Sequence, residues 1–274
     1  MSRYLFDNTD ARTPDRFSTL ESCYDPVSRR QLELTGLAPD FRCLEVGGGG
    51  GSLGAWMGER VGPEGEVTVT DLDPRWAESR PRPPQVRLLR HDIVNDPLPG
   101  GDYDVIHARL VLLHLPERLA VLERLVAALR PGGWLLLEEF DCTWIPVLAT
   151  PDEASTALFT HVQAALLAQL EKAGADVAWG RRVPAAMTRA GLTEVTATTY
   201  AESWAGGGRG IDLHRVNMEQ AEAGLRGDGV TEGELRRFYA LLKNPGFVIN
   251  SYPLISTRGR RPGSGVGVGS GGGA

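Results

Sequence analysis

The chain has 274 residues, 42% of them hydrophobic, and a formal net charge of −6. That length and composition suffice for a full buried core and exclude a fibrous or disordered protein. The excess of acid over base argues against the clustered basic face that DNA or an anionic membrane requires, so the expected partner is a small molecule.

The start, "MSRYLFDNTDARTPDRF", has no apolar core of signal-peptide length, and no window approaches the about 18 uninterrupted apolar residues of a membrane span. Cys23, Cys43 and Cys142 are odd in number and lack metal-like or disulfide-like spacing, which fits a reducing cytoplasm. Of the 29 basic residues only Lys172 and Lys243 are lysine, a bias that reads as GC-rich bacterial coding.

Residues 1–40 read as a helical cap of two short helices. Phe17, Leu20 and Tyr24 share one face of the first, and Asp25 as N-cap with Pro26 at the first position opens the second, which stops at Gly36. The chain then alternates. "RCLEV", "EVTVTD", "VRLLRHD", "YDVIHA" and "WLLLEEF" read as strands, the last apolar enough to be buried on both faces. Between them lie "SLGAWMGERV" and "PERLAVLERLVAALR", whose stripe of Leu119, Leu122, Val126 and Leu129 closes at Pro131-Gly132-Gly133. Such alternation predicts right-handed crossovers and a doubly wound α/β sheet.

Past residue 150 come a long helix, a shorter one, the strand "TEVTATTYAESW", two helical stretches and a last strand, "GFVINSYPLISTRGR". The predicted organisation is therefore a core of 41–205 plus 246–261, a helical lid inserted at 206–245, and a disordered Gly/Ser-rich tail at 262–274.

The stretch "RCLEVGGGGGSLGAW" fits two cofactor loops. Gly49, Gly51 and Gly54, with Asp71 further on, match the G-x-G-x-x-G of a dinucleotide site. Alternatively, Glu45 followed by Gly47, Gly49 and Gly51 resembles motif I of the class I S-adenosylmethionine-dependent methyltransferases. A strand-end carboxylate would repel a pyrophosphate at the helix N-terminus. It is tolerable beside S-adenosylmethionine, which carries an ammonium, a carboxylate and a sulfonium but no phosphate.

Further positions agree with the second frame. The resemblance puts Asp71, with Leu72 beside it, on the ribose hydroxyls, a job for an acceptor-only carboxylate; Asp73 before Pro74 is the plainer helix-start residue. It puts Asp92 and the Ile93 amide at the adenine, and His107, Ala108 and Arg109 near the methionine part. Arg109 has Glu138, Glu139 or Asp141 as alternative partners. Arg16 and Tyr4 in the cap are weaker candidates to close over the cofactor. The resemblance implies a Rossmann-like, mostly parallel seven-stranded sheet with an antiparallel last strand.

Methyl transfer is an in-line displacement in which positioning supplies most of the rate, so a general base is optional. His114, in the loop after the fourth strand, and His214, in the lid, are the candidate catalytic histidines; His91 and His161 are weaker. "EEFDCTW" resembles a site rim, and Trp144, Phe159, Trp179, Trp204 and Phe238 could line an apolar pocket. No metal-ligand set is identified. The expected activity is S-adenosylmethionine-dependent methyl transfer to O, N or C of a specialised small metabolite, releasing S-adenosylhomocysteine. The alternatives are a non-methylating S-adenosylmethionine enzyme (cyclase, hydroxylase or decarboxylase) and an NAD(P) oxidoreductase. An exposed cap could also serve a homodimer.

Overall fold

The structure is a computed structural model and describes residues 12–263. Helix α1 (Thr13–Glu33) leads into β1 (Arg42–Val46), α2 (Ser52–Val61), β2 (Glu66–Asp71), α3 (Arg75–Glu78), β3 (Val86–Arg90), β4 (Tyr103–Arg109), α4 (Arg118–Ala128) and β5 (Leu129–Phe140). The second half holds β6 (Val147–Ala149), α5 (Glu153–Lys172), α6 (Trp179–Arg189), β7 (Thr193–Tyr200) and β8 (Ser203–Ala205). It ends with α7 (Asp212–Gly227), α8 (Glu232–Leu241), β9 (Val248–Asn250) and β10 (Leu254–Arg260).

Seven strands form one sheet in the order β3-β2-β1-β4-β5-β10-β7. β10 runs antiparallel to both neighbours, and the remaining neighbours in the sheet pair in parallel. The chain reverses direction of travel across the sheet between β1 and β4, where a doubly wound fold opens its ligand crevice at the carboxyl ends of the strands.

Strand alternation builds two apolar layers. Leu44, Ile106, Leu135 and Leu137 face Leu122 and Leu125 of α4 and Val183 and Met187 of α6. The residues one step along, Cys43, Val67, Val69, Val105 and Leu136, face Leu32 of α1 and Trp56, Met57 and Val61 of α2. Burying one such Leu contributes on the order of 2 kcal/mol, so the layers fix strand register.

Three local expectations are corrected. α1 is one helix, with Pro26 inside it. Proline removes one helical hydrogen bond, but Leu20, Tyr24 and Leu32 on either side are buried, and that packing carries the helix through. Asp25 is consequently a mid-helix residue rather than a cap, and Gly36 (φ +77°) lies just beyond the end. On α4, Leu119 is 53% exposed, and Val121, Leu122, Leu125 and Ala128 form the inward face. Leu129 already belongs to β5, so the predicted stripe joined a helix to a strand.

The two late strands each break in two. β8 and β9 leave the main sheet and join β6 in a three-stranded antiparallel sheet. The break is held by the Ser251 amide donating to the Glu202 carbonyl at 2.7 Å and the Glu202 amide donating to Ser251 Oγ at 3.1 Å. The 206–245 insertion supplies α7 and α8, whose Leu213, Met218, Leu225 and Phe238 pack with Phe159, Val162 and Leu166 of α5. α1 packs against the sheet and α7 within its own chain, so it is not an exposed preface. Among the described residues no helix is long and apolar enough to cross a membrane. Of the predicted tail, 264–274 lies outside the described residues.

Candidate active site

A cavity of about 830 Å3 opens at the carboxyl ends of β1 to β4. Its walls are Val46 to Gly50 of the glycine turn, Thr70 to Leu72, His91 to Asn95, and Arg109 to Val111 with His114, Leu115 and Glu117. α1 covers it with Arg16, Phe17, Leu20 and Glu21.

The turn is built from the end of β2. The amides of Gly47 and Gly48 donate to the Thr70 carbonyl at 2.8 and 3.0 Å, and the Gly49 amide donates to Asp71 Oδ2 at 2.9 Å. Asp71 Oδ1 accepts from the Asp73 amide at 2.9 Å, so the carboxylate ties glycine turn to strand end. Burial raises the Asp71 pKa, and the two amide hydrogen bonds oppose that shift. Gly47 (φ +69°) and Gly49 (φ +53°) occupy left-handed backbone, and the Phe17 ring packs 3.1 Å from where a Gly49 Cβ would stand. At the third strand, Asp92 Oδ1 accepts from the Val94 amide at 2.9 Å and Oδ2 from Asn95 Nδ2 at 2.7 Å. Asn95 and the turn amides hold the Asp92 pKa below the usual carboxylate range against desolvation.

Glu45 does not line the cavity. Its carboxylate is buried beneath the turn, with Oε1 3.7 Å from His107 Nδ1, and His107 Nε2 is 3.1 Å from Glu138 Oε2. Burial disfavours a charged imidazole here, but the two carboxylates outweigh it and raise His107 to about 9. Arg109 does reach the wall, and its guanidinium donates to Asp25 Oδ1 and Ser28 Oγ of α1, both at 2.9 Å.

A family model described as a methyltransferase domain matches residues 10–195. The chain belongs to this methyltransferase family. Methyltransferase str2 of Strobilurus tenacellus is 33% identical over 142 residues, 50% of each chain. A ubiquinone/menaquinone biosynthesis C-methyltransferase of Ectopseudomonas mendocina is 31% identical over 128 residues, 44% of this chain and 50% of that one. The aligned part of this chain thus spans about half the length of the curated relatives it matches. Among solved structures, a putative methyltransferase from Bacillus halodurans superposes with a TM-score of 0.55 at 14% identity, covering 85% of this chain and 98% of that one. A phosphoethanolamine N-methyltransferase 2 of Haemonchus contortus, crystallised with phosphomonomethylethanolamine and S-adenosylhomocysteine, gives 0.53 at 13% identity, covering 96% and 60%. At these identities the structural likeness shows the fold.

Within the methyltransferase cavity the structure brings together Gly47, Gly49, Asp71, Leu72, Asp92, Ile93, Arg109, Arg16 and His114 of the predicted set. Glu45, Gly51, His107 and Ala108 lie outside its lining, the strand residues because their side chains enter the sheet's packed layers. Tyr4 lies outside the described residues.

The two candidate histidines part company. His114 ends a short 3-10 turn, Leu112–His114, and sits on the wall shared by the main cavity and a smaller inner chamber lined by Leu20, Leu166, Leu170, Phe140 and Tyr252. Burial, with the nearby cations Arg16 and Arg118, lowers it to about 3, so it is a neutral imidazole at pH 7. His214 is fully buried among aromatics, stacked on Tyr252 with ring centroids 4.4 Å apart and Nδ1 3.1 Å from its hydroxyl. It lines neither space, and burial lowers it to about 3.

The predicted acidic rim is also corrected. Glu138 is buried under His107, and Glu139 Oε1 accepts the Leu112 amide at 2.8 Å, capping the turn that carries His114. Desolvation raises Glu139 to about 8. The aromatics named from sequence line neither space: Phe159, Trp204 and Phe238 are core, and Trp144 is 54% exposed. Sequence reasoning missed Phe17 and Glu21 on the cavity wall. Their four-residue spacing puts them on one helix face, but what that face covers is decided by tertiary packing.

Proposed function

We propose that the chain is an S-adenosylmethionine-dependent methyltransferase acting on a small-molecule acceptor, which releases S-adenosylhomocysteine. The observation that carries this reading is which glycines meet the cavity. Gly47 to Gly50 wall it, whereas Gly51 to Gly54, with the α2 N-terminus that a pyrophosphate needs, do not. Asp71 on the same wall offers an acceptor to ribose hydroxyls, and Glu21 is paired with Arg80 at 2.7 Å.

The residues fit such a cofactor. The bare backbone of Gly47 to Gly50 on the wall lets a ligand approach closely, Asp71 and Leu72 suit the ribose edge, and Asp92, Ile93 and Val94 suit the base. Arg16 lies near the other end, where it could meet the cofactor carboxylate. When bound, S-adenosylmethionine supplies an electrophilic methyl group. The protein's part is to hold the acceptor in line with it and keep water out. A neutral His114 on the shared wall orients the acceptor by hydrogen bonding; a pKa near 3 makes it a poor general base at neutral pH.

On the wall of the main cavity Leu20, Leu110, Val111 and Leu115 favour an acceptor with an apolar body, as expected of a specialised metabolite, and the inner chamber behind His114 is small, about 30 Å3. Residues 206–245 act as a lid over that chamber, because α7 contributes Leu213 and Asn217 to its wall. The free thiols Cys23, Cys43 and Cys142 support a reducing, cytoplasmic setting. The test is incubation with methyl-labelled S-adenosylmethionine and a small-molecule extract of the source cells. Label should move into the small-molecule fraction with equal release of S-adenosylhomocysteine; label in macromolecules instead would contradict the acceptor class.

A further inference from the structure

The face of the sheet covered by α1 is crossed by a row of buried polar side chains. Glu45 of β1, His107 of β4, Glu138 of β5 and Ser256 of β10 follow one another over four adjacent strands. Glu45 and His107 are register partners, as are Glu138 and Ser256. Their exposures are 4%, 0%, 0% and 1%, in an otherwise apolar layer. Ser256 Oγ donates to Glu138 Oε1 at 2.6 Å, and the imidazole lies between the two carboxylates.

A neutral imidazole has one N–H and can donate to one carboxylate, whereas an imidazolium faces both. Two buried carboxylates without a cation between them would be costly to desolvate. Glu45 Oε2 has no hydrogen-bond partner and lies under the glycine turn: a Cβ on Gly54 would stand 2.7 Å from it, and one on Gly48 3.5 Å. The carboxylate therefore sits against the first turn of α2, where the helix dipole favours a negative charge.

We propose that His107 is a positioning residue for cofactor binding, which holds the Glu45 carboxylate beneath the glycine turn and so sets the height of Gly47 to Gly50 on the cavity wall. This rests on the reading that the cavity takes S-adenosylmethionine or its product. The row explains why a glycine turn that needs close approach has an acidic residue under it. The acid anchors the turn from below, and the histidine holds the acid in place.

The experiment is calorimetric titration of wild type and His107→Gln with S-adenosylhomocysteine, with circular dichroism as the check on folding. The expected result is a folded variant that binds about ten-fold more weakly, because Glu45 loses the imidazole 3.7 Å from its carboxylate. Glu45→Gln combined with His107→Gln, which removes the stranded charge, should recover part of that loss. A folded His107→Gln with wild-type affinity overturns the inference. Should the variant not fold, side-chain 15N NMR of wild-type His107 decides. Two protonated ring nitrogens at pH 7, with resonances that move on adding S-adenosylhomocysteine, support the role; a neutral ring, or one indifferent to the ligand, refutes it. Wild type that fails to bind S-adenosylhomocysteine overturns the functional reading itself, a result distinct from wild type that binds and a variant that binds equally.

Discussion

Arg109, at the end of β4, holds Asp25 of α1 at 2.9 Å and so fastens the helix that covers the cavity to the strand that walls it. Both side chains are largely buried, at 12% and 9% exposure. Removing one partner of such a pair strands the other. Asp25→Ala should cost about 3 kcal/mol in urea denaturation and expose α1 to limited proteolysis. An Asp25→Ala and Arg109→Ala double-mutant cycle showing no coupling would refute the fastening.

The glycines of the turn should differ sharply from glycines elsewhere. Gly36 has φ +77° and open space where a Cβ would stand, so Gly36→Ala should cost only the left-handed backbone penalty of about 1 kcal/mol and leave S-adenosylhomocysteine affinity alone. Gly47 has φ +69°, and a Cβ there would overlap Val111 on the cavity wall. Gly47→Ala should add about 1–3 kcal/mol of overpacking to the backbone term and weaken binding. Denaturation and calorimetry on both variants check this, and equal effects would contradict it.

Stability should peak near pH 6.5. His107 is raised from 6.5 to about 9, so its contribution is fully present below 6.5 and lost as pH rises to 9. Glu139, raised from 4.5 to about 8, holds a proton in the fold that the unfolded chain has given up, which also costs stability as pH rises through that window. His114 and His214, lowered from 6.5 to about 3, stay neutral in the fold while the unfolded chain protonates, so acidification below 6.5 destabilises. Between 4.5 and 6.5 the two histidines outweigh Glu139. Thermal midpoints across pH should fall on both sides, and His107→Gln should flatten the alkaline limb.

His214 is structural on this account. Gln163 Nε2 donates to the Tyr252 hydroxyl at 3.2 Å, and that hydroxyl meets His214 Nδ1. His214→Phe should cost about 1–3 kcal/mol, the penalty of a buried polar group left unpaired, with S-adenosylhomocysteine affinity unchanged. Loss of that affinity in a folded His214→Phe would show that the histidine reaches the cofactor.

The alternation of β-branched strands and helices made the doubly wound sheet legible, because strand burial on two faces is written in local composition; the seven-strand count and the antiparallel β10 came from the family resemblance, since strand direction is set by tertiary pairing. The family resemblance pointed to Asp71, Asp92, Gly47 and Gly49, all of which the fold brings to the cavity wall, because strand ends and their turns are continuous in sequence; Gly51 stays outside it. Glu45 was read from sequence as a cofactor residue, yet it lies outside the cavity lining beside His107, a residue of the neighbouring strand that only the register brings face to face with it. The same holds for Asp25, where an Asp-Pro pair looks like a helix start until tertiary packing of Tyr24 and Leu32 carries the helix through. Phe17 and Glu21 escaped notice because nothing local shows that α1 folds back over the glycine turn.

The most direct test of the central claim is calorimetric titration of the wild-type protein and Asp71→Ala with S-adenosylhomocysteine and, separately, with NADH. Saturable binding of S-adenosylhomocysteine, weakened about ten-fold or more by Asp71→Ala, and no NADH binding is the predicted result. NADH binding with none of S-adenosylhomocysteine would contradict it.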